Sequence, residues 1–283
     1  MKLVTILTVT LLAANLAGAQ APAAGALQEA ARLDSRGDTR EARALIQGVI
    51  DTATAPLAKA LAQRTMAISF AFDGDCANTA KYERLVMTYW KTREQAEPQN
   101  AWYQQGEMAN EAARVCIDAG QLDTAETYYR MGTELGLGEP EPITHPRSLW
   151  AFRLAHARAR LAARRGDPGE AHRQVAEARR ILDSDTKMAA AQERFFPYLT
   201  GYVALFTGDL DTAQAELTKA LAIQGNQNDP FMHVLLAMAY EKAGQSAKAR
   251  SMYEQAYGLA TAHNPPSAFV RPLARRKLAV SGS

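Results

Sequence analysis

Cysteine is nearly missing from this chain: Cys76 and Cys116 are the only two among 283 residues. They form no C-x-x-C pair, which excludes dithiol redox catalysis of that kind. Histidine is scarce and scattered at His145, His156, His172, His233 and His263, with no H-E-x-x-H and no metal-ligand spacing. The sequence also lacks a Gly-x-Ser-x-Gly elbow, a phosphate loop and a dinucleotide fingerprint. Its carboxylates are spread through turns and helix starts, where capping accounts for them. The expectation is therefore a non-enzyme, with no catalytic residue, no metal and no cofactor. The formal charge is only +2, without the basic excess that a nucleic-acid partner needs. Beyond the N-terminus no apolar run reaches the roughly 20 residues of a membrane-spanning helix.

The N-terminus has a different character. Lys2 gives a positive start, residues 3–14 are apolar, and Ala17-Gly18-Ala19 offers an A-x-A cleavage site before Gln20. That pattern predicts a secretory signal peptide over 1–19, cleaved after Ala19, and a periplasmic or secreted mature chain without stable membrane insertion. Residues 20–25 follow as a flexible leader.

What the rest of the chain has in abundance is one recurring beat. Gly208-Asp209 is followed by Ala213, and the same step links Gly37-Asp38 to Ala42, Gly120-Gln121 to Ala125, Gly166-Asp167 to Ala171, and Gly244-Gln245 to Ala249. Gly74-Asp75 is the imperfect copy, with Thr79 in the alanine slot. Seven residues before each glycine stands a small residue: Ala30, Ala67, Ala113, Ala159, Gly201 and Ala237. A left-handed glycine ends one helix without a Cβ penalty, and an aspartate beside it caps the next. Small residues let the two backbones approach while larger apolar ones interlock around them. The beat predicts six helix hairpins.

The phrase Leu236-Ala237-x2-Tyr240 with Ala249-x3-Tyr253 resembles the tetratricopeptide repeat family, and Ala125-x3-Tyr129 and Ala213-x3-Leu217 match the second half of its motif. The resemblance implies an all-α fold: a right-handed α-solenoid of about six such hairpins over 26–262, with a capping helix and tail over 263–283. The glycines are 37, 46, 46, 42 and 36 residues apart, against a family period of 34, so longer helices or turns must absorb the excess. In the capping helix Arg271, Arg275, Arg276 and Lys277 are expected to face outward. The clearest loop, 138–146, holds three prolines and reads as a hinge, a contact loop or simply a longer turn.

Stacked hairpins would place Cys76 and Cys116 on antiparallel neighbours at one end of a layer. Two readings stand: a disulfide, as an exported chain permits, or two buried thiols.

In this family the first helix of each unit lines a concave face that binds peptide segments. Positions ten and six residues before each turn glycine give Arg64, Asn110 with Arg114, His156 with Arg160, and Tyr198 with Tyr202 as candidate partner-binding residues. Their chemistry suggests an acidic protein or peptide segment against the basic group and an apolar anchor on the tyrosines. The plainer alternative makes the arginines a solvated face and the tyrosines ordinary packing. Function accordingly reads as an exported scaffold or adaptor of the cell envelope. A binding subunit for a non-protein ligand such as a glycan is the second possibility.

Overall fold

The computed structural model describes residues 10–280; the first nine residues of the expected signal segment and the last three of the expected tail lie outside it. No strand occurs among the described residues, and the chain is an α-solenoid of consecutive hairpins. The pairs are α1 (Thr10–Arg36) with α2 (Thr39–Thr52), α3 (Pro56–Phe72) with α4 (Cys76–Lys91), and α5 (Pro98–Asp118) with α6 (Leu122–Leu137). Next come α7 (Arg147–Arg164) with α8 (Pro168–Ser184), a short α9 (Thr186–Gln192) with a 3-10 turn (Glu193–Phe195), and α10 (Phe196–Thr207) with α11 (Leu210–Ala222). The chain finishes with α12 (Pro230–Lys242), α13 (Ser246–Leu259) and α14 (Pro265–Val280).

Each hairpin turns where the sequence beat places it. All six turn glycines have positive φ, between 70° and 97°, which an L side chain adopts only at a cost. Three of the four aspartates that follow them cap the returning helix: Asp75, Asp167 and Asp209 accept from the backbone N–H three residues on, at 3.0, 2.9 and 3.1 Å. Asp38 makes no such bond.

The crossings are as close as the small residues allow. Ala30, Ala67, Ala113, Ala159 and Ala237 are fully buried, and so are their partners Ala42, Ala125, Ala171 and Ala213. A Cβ on Gly201 would lie 2.7 Å from Leu217 Cγ. Leu217 is itself fully buried, worth about 2 kcal/mol as apolar burial. Thr79, in the imperfect copy, shows how the slot tolerates a hydroxyl: it is buried, and Oγ1 donates to the Ala67 carbonyl at 3.1 Å. Cys76 and Cys116 are joined in a disulfide across α4 and α5, with 4.7 Å between their Cα atoms.

Two expectations need correction. Residues 20–25 are helical within α1, not a flexible leader, and Ala23 packs on the first core cluster. The insertion of α9 between units four and five, which carries no glycine beat, lengthens that step. Arg271 is half-buried rather than outward, because the solenoid curls until its last helix meets its first, while Arg275 stays exposed and still reaches α1. Arg271 Nε donates to the Ser35 carbonyl at 2.6 Å, and Arg275 donates to the Arg36 carbonyl. These are terminal carbonyls of α1, which have no partner in their own helix and favour a cation. His263 Nε2 lies 2.8 Å from Asp34 Oδ2, and Asp34 also accepts from Ser69 Oγ at 2.8 Å. Lys277 pairs with Glu241 at 2.7 Å. Besides α13, helix α14 packs on α3, α5 and α12, so it lies across the inner face of the curl.

The 138–146 loop is pinned rather than loose. Buried Glu139 accepts from Thr144 Oγ1 and lies against His145 Nδ1, both at 2.8 Å, and His145 stacks on Tyr103.

Candidate functional site

Where α14 does not cover the inner face, a cavity of about 220 Å³ opens between α5, α7 and α10. Helical spacing builds its walls. Asn110 and Arg114 are one turn apart on α5, Phe152, His156 and Arg160 recur at four-residue steps on α7, and Tyr198 comes from the start of α10. Pro197 sits in the first turn of α10, where a missing N–H costs nothing. The cavity thus gathers five of the seven predicted residues.

The other two are placed elsewhere. Arg64 is tied to Glu111, with Nε donating at 3.1 Å, and does not line the cavity. Beside that pair, burial and then the Glu111 charge push the enclosed Glu83 carboxyl well above the usual carboxylate range. Tyr202 is only 1% exposed and belongs to the core, its hydroxyl 3.4 Å from an Arg164 donor. It offers no surface for an anchor.

The arginines of unit four divide into two kinds. On the outside, Arg165 pairs with Asp123 and Glu126, Arg173 with Glu170, Arg179 with Asp183 and Glu193, and Arg180 with Glu177. Those are a solvated, self-neutralised face. On the inside, Arg153 pairs with Glu107, but Arg160 meets only tyrosines. It donates to Tyr129 Oη at 2.9 Å and Tyr198 Oη at 3.3 Å, and lies over the Tyr129 ring. Arg114 lies 4.7 Å over the Phe231 ring. The Nε donors of Arg114 and Arg160 are buried with no hydrogen-bond partner, and neither residue has a carboxylate within ion-pair distance among the described residues.

The charge of these two arginines is visible in its neighbours, and Asp118 is the carboxylate that senses it. Burial, then Arg160 and Arg114, hold the His156 imidazole well below the ordinary histidine range, so the ring is neutral. Asp118, at the end of α5, is pushed up to about 6 by burial, which outweighs the opposing pull of Arg114, Arg160 and Arg164. Tyr202 is likewise raised, chiefly by burial.

Sequence reasoning did not find the parts that set this shape. Trp150, fully buried, fits against α6 because Gly136 has no side chain: a Cβ there would lie 2.0 Å from the indole. Gly106 and Gly132 allow α5 and α6 to touch, and Asn110 Oδ1 occupies the space a Cβ on Gly132 would need. Three glycines inside helices were the available signal.

The tetratricopeptide repeat family model matches residues 232–263, which hold most of α12 and all of α13. The chain carries a tetratricopeptide repeat. The preceding hairpins share its glycine turn and small-residue crossing. Among solved structures, the apo form of RapI is similar with a TM-score of 0.34 and 13% identity, over 84% of this chain. The aligned part spans 65% of that protein's length. No curated protein sequence matches the chain.

Proposed function

We propose that this protein is an exported, non-catalytic adaptor of the bacterial cell envelope that holds an acidic segment of a partner protein on its inner face. Repeats of this type mediate protein–protein interaction, and the segment would lie against Asn110, Arg114, His156 and Arg160 with an apolar side chain against Phe195, beside the nearly enclosed Tyr198. One observation carries the reading: Arg114 and Arg160 have no carboxylate within ion-pair distance among the described residues, whereas Arg153 beside them and Arg165 and Arg179 on the outer face each have one. Export is supported by the signal-like residues 1–19 and by the disulfide, which suits an oxidising compartment. No described helix is long and apolar enough to cross a membrane.

A glycan stacked on Tyr198 and Tyr202 would need exposed ring faces, and these residues are 7% and 1% exposed. No observation favours that second reading.

Crosslinking in the native compartment, followed by mass spectrometry, tests the adaptor. The expected result is a reproducible protein neighbour that disappears in Arg114→Glu while the variant keeps its helical circular dichroism. A wild-type chain with no neighbour, or a neighbour indifferent to Arg114→Glu, contradicts the proposal.

A further inference from the structure

We infer that the cavity between α5, α7 and α10 is a complete site for a single carboxylate carried on an apolar or aromatic body. The inference rests on reading the inner face as the binding face, and it goes further by naming the chemistry of one enclosed subsite that does not require the ligand to be a protein.

The argument begins with charge. Arg160 is 7% exposed, and its direct partners are neutral tyrosine hydroxyls. A buried guanidinium without a carboxylate is costly, and an unpaired charged donor costs more than a neutral one. Arg114, one helix over, adds a second guanidinium with a buried and unpartnered Nε. Two planar forks around one cavity match the geometry of a carboxylate, which accepts along several directions at once. Arg153 lines the same cavity but is already neutralised by Glu107.

The remaining walls set the rest of the ligand. Phe152, Phe195 and Tyr198 line the cavity, and the half-buried Phe195 presents the open apolar ring surface while the other two are nearly enclosed. The imidazole of His156, kept neutral by burial and by the adjacent arginines, adds no third charge. The volume, about 220 Å³, is below the range of drug-sized sites and suits a small organic anion or one inserted side chain. A buried and a half-buried guanidinium beside an aromatic wall therefore select a monoanion with an apolar body over inorganic anions, which would leave the rings wet.

Arg114 is also held in place from behind. It lies over Phe231, and Phe231 packs on Phe269 of the closing helix α14 at 5.4 Å between ring centroids. The site and the closure of the curl thus share one aromatic contact.

The purified, disulfide-bonded chain can be titrated calorimetrically with benzoate, with benzyl alcohol as a neutral analogue, and with N-acetyl-Phe-Glu-amide as a protein-like carboxylate. Benzoate is expected to bind, benzyl alcohol to bind about tenfold more weakly or not at all, and added salt to weaken benzoate only modestly because the charges are enclosed. Arg114→Gln should weaken benzoate about tenfold, and Arg114→Lys, which keeps the charge but loses the fork, should fall between. Should Arg114→Gln fail to fold, the benzoate-to-alcohol ratio in wild type still decides. Tighter binding of the dipeptide assigns the carboxylate to a protein partner, and tighter binding of benzoate assigns it to a free small molecule; either supports the site. Absence of benzoate binding, equal binding of the alcohol, or affinity unchanged in Arg114→Gln overturns it. A positive titration with no crosslinked protein neighbour would leave the subsite standing and remove only the adaptor reading.

Discussion

Two kinds of seam hold this molecule together, and they obey different rules. Between the helices of each hairpin the contact is made by alanine and glycine at zero or near-zero exposure, with one leucine or tyrosine interlocked beside them. Where α14 meets α1, guanidinium groups reach backbone carbonyls and His263 lies against Asp34. The first seam is shape, repeated six times. The second is polar and occurs once. Apolar crossings of this kind are sensitive to added volume, whereas polar contacts are sensitive to the loss of one partner. The interior seams should therefore report on global stability and the closing seam on local opening.

The largest expected effect lies in the repeated stack. Replacing Cys76 and Cys116 together by alanine removes a cross-link between residues 40 apart, and should cost about 4 kcal/mol in denaturant unfolding. A loss below about 1 kcal/mol would show that the α4–α5 seam does not depend on it.

Gly201→Leu comes next. Its side chain would enter the space of Leu217, and global stability should fall by about 3 kcal/mol. If the variant melts like wild type, the crossing is not tight and the distinction between the seams collapses.

Asp118 sharpens the comparison by pH, because it faces α14 across the end of α5. Its folded-state pKa is raised, from 3.8 to about 6, so the protonated carboxyl is the one the fold favours. Its contribution is fully present below the unfolded value near 4 and is lost as pH rises through about 6. Wild type should lose about 2 kcal/mol relative to Asp118→Asn across that window, less than the full shift implies because the carboxyl is only half-buried. Parallel stability curves for the two proteins from pH 4 to 7 would contradict this.

The smallest effect belongs to the closing seam. Arg271→Ala removes the guanidinium that reaches the Ser35, Tyr257 and Ala260 carbonyls, at a cost of about 1–2 kcal/mol. Hydrogen exchange should quicken in α14 and the end of α1 and stay unchanged in α6 to α8. Uniform quickening would mean that the closing helix folds as one unit with the stack.

These differences also explain what could be read from the sequence. Six glycines and the residues seven before them repeat, so a local rule identifies them, and the structure places all of those glycines at positive φ and those small residues inside. Stacking the hairpins put the two cysteines side by side but left a disulfide and two buried thiols both open, and the structure has the disulfide. Curvature did not follow, because it accumulates from small rotations between units and no single residue encodes it. That is why Arg271, a polar residue on a terminal helix, reads as solvent-facing. The site was half legible for the same reason. Helical spacing put Asn110 with Arg114 and His156 with Arg160, yet the count that reached Tyr198 also reached Tyr202, one turn further on and in the core. Trp150 had no place in the repeat at all, since its seat is made by glycines on another helix pair.

The closing of the curl is most directly tested by the distance between its two ends. Spin labels at Arg40→Cys and Arg276→Cys, both on exposed positions that flank the α1–α14 contact, can be measured by pulsed electron resonance. The account predicts one short, narrow distance distribution that broadens in Arg271→Ala. A long or broad distribution in the otherwise unaltered chain would mean an open solenoid whose last helix never reaches its first.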